Sequence, residues 1–299
     1  MQRNAGPGML REMLSRPEPV LAPGAYDALS ARLVEGAGFE AVYMTGFGTS
    51  ASLLGRPDVG LLTFSEMVDN ARRLVQAVKV PVIADADNGY GNPINVIRTV
   101  KEYEAAGVSA VHIEDQVIPK KCGHTEGKQV IEASEMVEKI RAAVEARHSE
   151  EFVIIARTDA RAVEGMDGAL DRARIYRDAG ADALFVEAPR SEEEVSAVAE
   201  AFPNVPLLFN WLEGGETPPV PLERLKELGF GLIIFPLSAM LAATRAIRET
   251  LAKIHADGSP ISLMEDRLVP FEEFTDLIGL PEIEDLEERF EDKEVRAPR

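Results

Sequence analysis

Asp85 and Asp87 stand one residue apart, directly after the apolar run Val82-Ile83-Ala84. Two carboxylates this close repel each other unless a cation sits between them. Glu114 follows a second apolar run, Ala110-Val111-His112-Ile113. Hard oxygen donors suit Mg²⁺ or Mn²⁺ better than Zn²⁺, so Asp85, Asp87 and Glu114 are read as a site for a divalent metal. The plainer alternative is a loop in which aspartate caps the next helix.

A second segment, Pro119-Lys120-Lys121-Cys122-Gly123-His124, carries the single cysteine of the chain. A lone cysteine is ordinarily a small buried hydrophobe. This one lies in a polar stretch beside two lysines and a histidine, which would favour the thiolate and bring its titration toward neutrality. Such a group is suited to general acid–base work. The glycines and charges from Lys120 to Lys128 read as a mobile lid.

Other polar residues carry weaker signals. Arg157 offers a planar fork for a carboxylate or enolate oxygen, or pairs with Asp159 or Glu187. Thr45-Gly46-Phe47-Gly48-Thr49 reads as a cradle of backbone amides for a carboxylate, or as a structural turn. Asp58 sits in a Gly-Arg-Pro-Asp turn, Tyr43 alternates toward an interior, and Trp211 suits a pocket wall or a rim. His112, inside an apolar run, reads as an interior histidine.

These residues need a frame that brings them together. Eight short apolar runs recur, at 20–22, 41–44, 82–84, 110–113, 153–156, 183–186, 207–209 and 232–235. They are continuous and rich in Val and Ile, as strands buried on both faces are. Helical spacing of apolar residues fills the intervals at 65–78, 93–106, 134–146 and 167–179. Gly38, Gly107, Gly180 and Gly229 end such intervals, where a left-handed glycine stops a helix. Eight alternating units predict an α/β fold, a closed (β/α)8 TIM barrel spanning residues 1–299 as one domain. An open doubly wound sheet is the alternative, but no glycine-rich dinucleotide fingerprint follows the first strand. Two further helices are expected at 262–274 and 281–290, within a C-terminal extension from 257 to 299 that caps the barrel or packs on a neighbouring subunit. In such barrels chemistry sits at the C-terminal strand ends. Those ends here hold Thr45-Gly46, Asp85, Asp87, Glu114, Asp115, Arg157, Asp159, Glu187, Asn210 and Ser238.

The net charge of −19 argues against nucleic acid as a partner. No apolar run is long enough to span a bilayer, and the N-terminus has no signal-peptide core. With a single cysteine the chain is expected in a reducing compartment, the cytoplasm.

Taken together, these motifs resemble the isocitrate lyase/phosphoenolpyruvate mutase superfamily over residues 8 to 290. The resemblance is carried by Gly24-Ala25-Tyr26-Asp27, Thr45-Gly46-Phe47-Gly48, Gly55-Arg56-Pro57-Asp58, Asp85-Ala86-Asp87, Lys120-Lys121-Cys122-Gly123-His124, Ala156-Arg157-Thr158-Asp159 and Asn210 with Glu213-Gly214-Gly215. Within the superfamily the chain looks closest to methylisocitrate lyases, dimethylmalate lyase-like enzymes and carboxyphosphonoenolpyruvate mutase. The resemblance implies a carbon–carbon lyase acting on a small carboxylate through an enolate bound to Mg²⁺. It also implies a homotetramer built from helix-swapped dimers. By match to the family, Asp85, Asp87 and Glu114 position the metal, and the Thr45-Gly46-Phe47 amides hold a carboxylate. Arg157 contacts the oxyanion, while Gly123, His124, Glu187 and Asn210 complete the pocket. Cys122 is then the general acid, with Tyr43 and nearby Asp58 as the base for the 2-hydroxyl. A phosphonomutase, or an oxaloacetate decarboxylase or hydrolase, shares this chemistry and is the alternative activity. A non-catalytic binding protein is disfavoured by the full set of polar strand ends. Leu212 and Leu241 stand where methylisocitrate lyases carry Thr and Arg, which favours a 2-hydroxy dicarboxylate over a tricarboxylate; Arg267 remains a further cation for the substrate.

Overall fold

Continuous apolar runs can be buried on both faces only if helices cover the outside of the sheet, and this is the arrangement formed. A computed structural model describes residues 6–124 and 127–290. Its strands are β1 (Val20–Ala25), β2 (Val42–Met44), β3 (Val82–Asp85), β4 (Ala110–Glu114), β5 (Val153–Thr158), β6 (Ala183–Val186), β7 (Leu208–Asn210) and β8 (Leu232–Phe235). All pair in parallel in the order β6-β5-β4-β3-β2-β1-β8-β7. A bridge between Leu184 and Leu207 joins the two ends, so the fold is a (β/α)8 barrel.

Two apolar layers hold it. Between strands and helices lie Met67, Leu74, Val100, Tyr103, Ile140, Phe202 and Leu225. Inside the barrel, Val20, Tyr43, Ile83, Ile155, Phe185, Leu208 and Ile234 pack together, with Leu10 and Met13 of helix Pro7–Leu14 beneath them. That N-terminal helix closes the end of the barrel opposite the strand C-termini. The register also positions chemistry: Asp85 lies opposite His112, and Glu114 lies opposite Arg157.

Helix starts follow local sequence. Thr63 and Glu66 form a reciprocal cap on Phe64–Ala77, and Asn92 with Pro93 opens Pro93–Ala105. Gly38, Gly107, Gly180 and Gly229 all adopt positive φ at the helix ends expected of them. One expected helix is broken: over 262–274 the chain forms a short 3₁₀ turn at Ile261–Leu263 and a helix only at Phe271–Leu277. Pro270 explains the break, because it has no amide hydrogen and disfavours helical backbone in the residue before it.

The chain divides into two compact units, residues 1–241 and 242–299. The division falls inside the helix Ser238–Asp257, before the start of the expected extension. The second unit leaves Leu251, Ile261, Met264, Val269 and Phe271 exposed. Among the described residues no helix is long and apolar enough to cross a membrane.

Leu10 is wholly buried at the base of the barrel interior. Leu10→Ala is expected to lower stability by about 2–5 kcal/mol in equilibrium urea unfolding. An unchanged midpoint would show that the N-terminal helix does not close the barrel.

Candidate active site

The Asp85-Ala86-Asp87 turn is clamped to β4 before any ligand is considered. The Asp87 amide donates to Asp85 Oδ1 at 2.9 Å. The Ala86 amide donates to His112 O at 3.1 Å, and the Glu114 amide to Asp87 O at 2.9 Å. Asp87 itself has φ +47°, a left-handed backbone that few non-glycine residues adopt. From outside, the Tyr103 hydroxyl donates to Asp85 O at 3.1 Å and Lys139 Nζ to Asn88 O at 3.2 Å.

Lys120 enters this cluster from the loop after β4. Its ammonium lies 2.5 Å from Asp87 Oδ1 and 2.7 Å from Asp58 Oδ2. Burial works against that charge, yet Asp87, Asp85 and Asp58 hold the Lys120 pKa well above its usual value. Burial dominates at Glu114, whose pKa is well above the ordinary range. Burial also pushes Asp87 up to about 6, helped by Asp85 and Asp58 and opposed by Lys120. For Asp85, burial is outweighed by His112, Lys120 and Arg157, and its pKa falls. His112 is itself uncharged at neutral pH, since burial lowers it to about 4, so we assign that stabilisation to the two cations.

Among the described residues no three His, Cys, Asp or Glu side chains stand close enough to ligate one ion directly. The donor chemistry nevertheless fits a hydrated hard cation. Asp87 Oδ1 and Glu114 Oε1 are buried without a hydrogen bond among the described residues, although Lys120 pairs with the former as an ion. Mg²⁺ keeps several of its waters and is commonly held by one or two carboxylates.

Arg157 projects from β5 into a ring of acids. Its Nε is 2.9 Å from Asp159 Oδ2 and 3.3 Å from Glu114 Oε2, and its Nη2 is 3.4 Å from Glu187 Oε1. Its guanidinium also lies over the Phe185 ring, 5.0 Å from the centroid. Burial opposes ionisation of Asp159, but Arg157 and Lys128 lower its pKa to about 2.

Cys122, Gly123 and His124 form the facing wall. Gly123 is required by close approach: a Cβ there would lie 1.9 Å from Glu187 Oε1. The Glu216 amide donates to His124 Nδ1 at 3.0 Å, which puts the proton on Nε2, 3.3 Å from Glu187 Oε1. Asn210 Nδ2 reaches both Glu187 oxygens at 3.3 Å.

Thr45 caps a helix at Gly46–Leu54, so the expected amide cradle is the first turn of that helix. The amides of Gly46 and Phe47 are therefore positioned for an anion. Gly46 also meets the Asp85-Ala86-Asp87 turn, since a Cβ there would fall 2.3 Å from Asp85 Oδ2.

One cavity gathers Tyr43, Thr45, Phe47, Asp58, Asp85, Lys120, Lys121, Cys122, Gly123, His124, Arg157, Glu187 and Asn210. Asp87 and Glu114 stand behind it, bonded to Lys120 and Arg157. Leu212, Pro236 and Leu237 supply an apolar wall.

Three expectations change. The Cys122 thiol does not titrate toward neutrality; burial, with Glu187 and Asp58, raises its pKa and keeps the proton on sulfur. Tyr43 is buried in the barrel with its hydroxyl 2.9 Å from His112 Nε2. Burial raises its pKa, which keeps the proton on the phenol. Leu241 is largely exposed and is not part of the cavity wall, while Arg267 pairs with Glu249 at 3.4 Å in the second unit. The lid reading over 120–128 includes Thr125 and Glu126, which lie outside the described residues. Sequence reasoning missed Lys120 and Lys128 as buried cations; only their nearness to the cysteine motif hinted at them. Trp211 donates to Val220 O at 3.0 Å and packs beside the core rather than in this cavity.

The sequence profile of the phosphoenolpyruvate phosphomutase family matches residues 10–255. The chain belongs to the phosphoenolpyruvate phosphomutase family. Within it, 2,3-dimethylmalate lyase of Eubacterium barkeri is 48% identical over 281 residues, covering 94% of this chain and 96% of that one. A crystal structure of 2,3-dimethylmalate lyase superposes with a TM-score of 0.91 at 40% identity, covering 97% and 96% of the two chains. A phosphonopyruvate hydrolase solved with oxalate and Mg²⁺ superposes at 0.86 with 32% identity, covering 95% and 99%.

His112 and Asp87 make opposite contributions to acid stability. His112, lowered from 6.5 to about 4, gives stability that is complete above 6.5 and lost as pH falls to about 4. Asp87, raised from 3.8 to about 6, gives stability that grows as pH falls through about 6 toward 3.8. His112→Gln removes only the first. Relative to this variant, the unmutated protein is expected to lose stability between pH 6.5 and 4 in denaturant unfolding; parallel pH profiles would contradict the assignment.

Proposed function

We propose that this chain is a Mg²⁺-dependent carbon–carbon lyase, Mn²⁺ being an equivalent ion, that cleaves an alkyl-substituted 2-hydroxy dicarboxylate. Its products are pyruvate, or a related 2-oxo acid, and a second carboxylic acid. The observation that carries this reading is one cavity in which a protonated thiol, an arginine, a helix-start anion site and an apolar wall all face inward. The 48% identity to 2,3-dimethylmalate lyase supports the substrate class.

The Gly46 and Phe47 amides bind one substrate carboxylate, with Thr45 fixing the helix start. Asp58, beside Lys120, accepts the proton of the 2-hydroxyl as its oxygen becomes the carbonyl of the 2-oxo acid. The adjoining carbon–carbon bond breaks, and its electron pair passes to the departing acid as an enolate. Cys122 delivers the thiol proton to the enolate carbon. Arg157 faces the developing negative charge in a buried setting where a cation acts strongly. His124, Glu187 and Asn210 form a hydrogen-bonded wall that orients the substrate. Asp85, Asp87 and Glu114 would hold the divalent cation, partly through water, and that ion supplies further positive charge to the enolate. Leu212, Pro236 and Leu237 offer no partner to a third carboxylate and suit methyl groups.

The exposed apolar side chains of residues 242–290 support assembly as a homotetramer of helix-swapped dimers. The single cysteine supports placement in a reducing compartment, the cytoplasm.

With Mg²⁺, 2-methylmalate or 2,3-dimethylmalate is expected to release a 2-oxo acid faster than methylisocitrate or isocitrate, and EDTA to stop the reaction. Cys122→Ala should reduce turnover by roughly 10²–10⁴-fold. If none of the four is cleaved, or the alanine variant keeps full turnover, the reading is wrong.

A further inference from the structure

The carboxylate of Asp159 is shared between two parts of the site. Arg157 Nε donates to its Oδ2 at 2.9 Å, and Arg157 Nη2 to its Oδ1 at 3.2 Å. Lys128 Nζ donates to the same Oδ1 at 3.1 Å. Lys128 Nζ also donates to the carbonyl oxygen of Gly123, the residue after Cys122.

Asp159 is a rigid anchor for both. Its amide donates to Asp115 Oδ1 at 2.8 Å. Asp115 Oδ2 accepts from the Thr158 and Tyr176 hydroxyls, each at 2.8 Å. The Lys128 side chain is 1% exposed, so its ammonium has given up nearly all its water. A buried cation is tolerated only while its acceptors stay in place, and removing a partner from such a pair typically costs several kcal/mol. On the other side, Gly123 sits so close to Glu187 and Arg157 that the turn has little room to shift inward.

We propose that Lys128 is a positioning residue, which fastens the Cys122–Gly123 turn to the carboxylate that orients Arg157. The proton donor and the cation facing the developing charge are thereby held at one fixed separation. Lys128 touches neither substrate nor reacting atoms; it acts through Gly123 and Asp159. Its effect on turnover rests on the proposed lyase reaction, but its effect on the turn does not.

The chain has one cysteine, so a thiol reagent reports on this turn alone. In Lys128→Ala, labelling of Cys122 by a neutral maleimide is expected to accelerate roughly tenfold or more, as the turn opens locally. Propylammonium replaces the deleted atoms and should slow labelling again, while propanol should not. Turnover should fall about 100-fold with KM little changed, and propylammonium should restore it. Lys128→Met keeps the apolar stem without the ammonium, and should label as the alanine variant does if that variant folds poorly. Unchanged labelling in the methionine variant, or faster labelling in the alanine variant that propylammonium leaves untouched, overturns the proposal. Faster labelling that propylammonium suppresses, without turnover of any substrate in the panel, would sustain it while removing the lyase reading.

Discussion

Six carboxylates, Asp58, Asp85, Asp87, Glu114, Asp159 and Glu187, are buried around one cavity against three buried cations, Lys120, Lys128 and Arg157. If all were ionised, three negative charges would stand uncompensated in a poorly solvated place, which is strongly unfavourable. The molecule answers in three ways. Glu114 and Asp87 move toward their neutral forms. Lys120 and Arg157 are each shared among several acids, while Lys128 bonds to Asp159 and to the Gly123 carbonyl. The oxygens of Asp87 and Glu114 left without hydrogen bonds favour a further cation. The proposed metal site and the charge held on Arg157 both follow from that imbalance.

The barrel makes the imbalance possible. Parallel strands end together, and the pairing of β4 with β5 sets Glu114 beside Arg157. Strands β2 to β7 each contribute one or two polar groups within the strand or just after it, which no single helix or loop could bring to the same point. The apolar interior beneath, sealed by Leu10 and Met13, supports the charged layer from below. Tyr43 and His112 sit between the two layers, bonded to each other and uncharged. They form the floor of the site, as the interior position expected of His112 implies.

Much of this was legible in the residues because strands buried on both faces leave continuous apolar runs, and the polar residue after each run marks the catalytic face. Asp85, Glu114, Arg157 and Glu187 all stand at such ends. What stayed hidden depends on burial and on non-local pairing. Lys120 looks in sequence like one of two flanking lysines, yet it is driven into the acid cluster. Two of the neighbours that suggested an activated thiolate at Cys122, Lys120 and His124, are engaged by Asp58, Asp87 and Glu187, leaving burial to decide the thiol's direction. Leu241 was placed by alignment to a motif, and its side chain does not line the cavity. Pro270 was an available signal for the broken C-terminal helix.

The central claim is that this buried acid cluster takes up one divalent cation. Electron paramagnetic resonance of Mn²⁺ titrated into the purified protein measures this directly, without a substrate. One saturable site per chain is expected, weakened at least roughly tenfold by Asp85→Asn. No saturable site, or equal affinity in the variant, would contradict it.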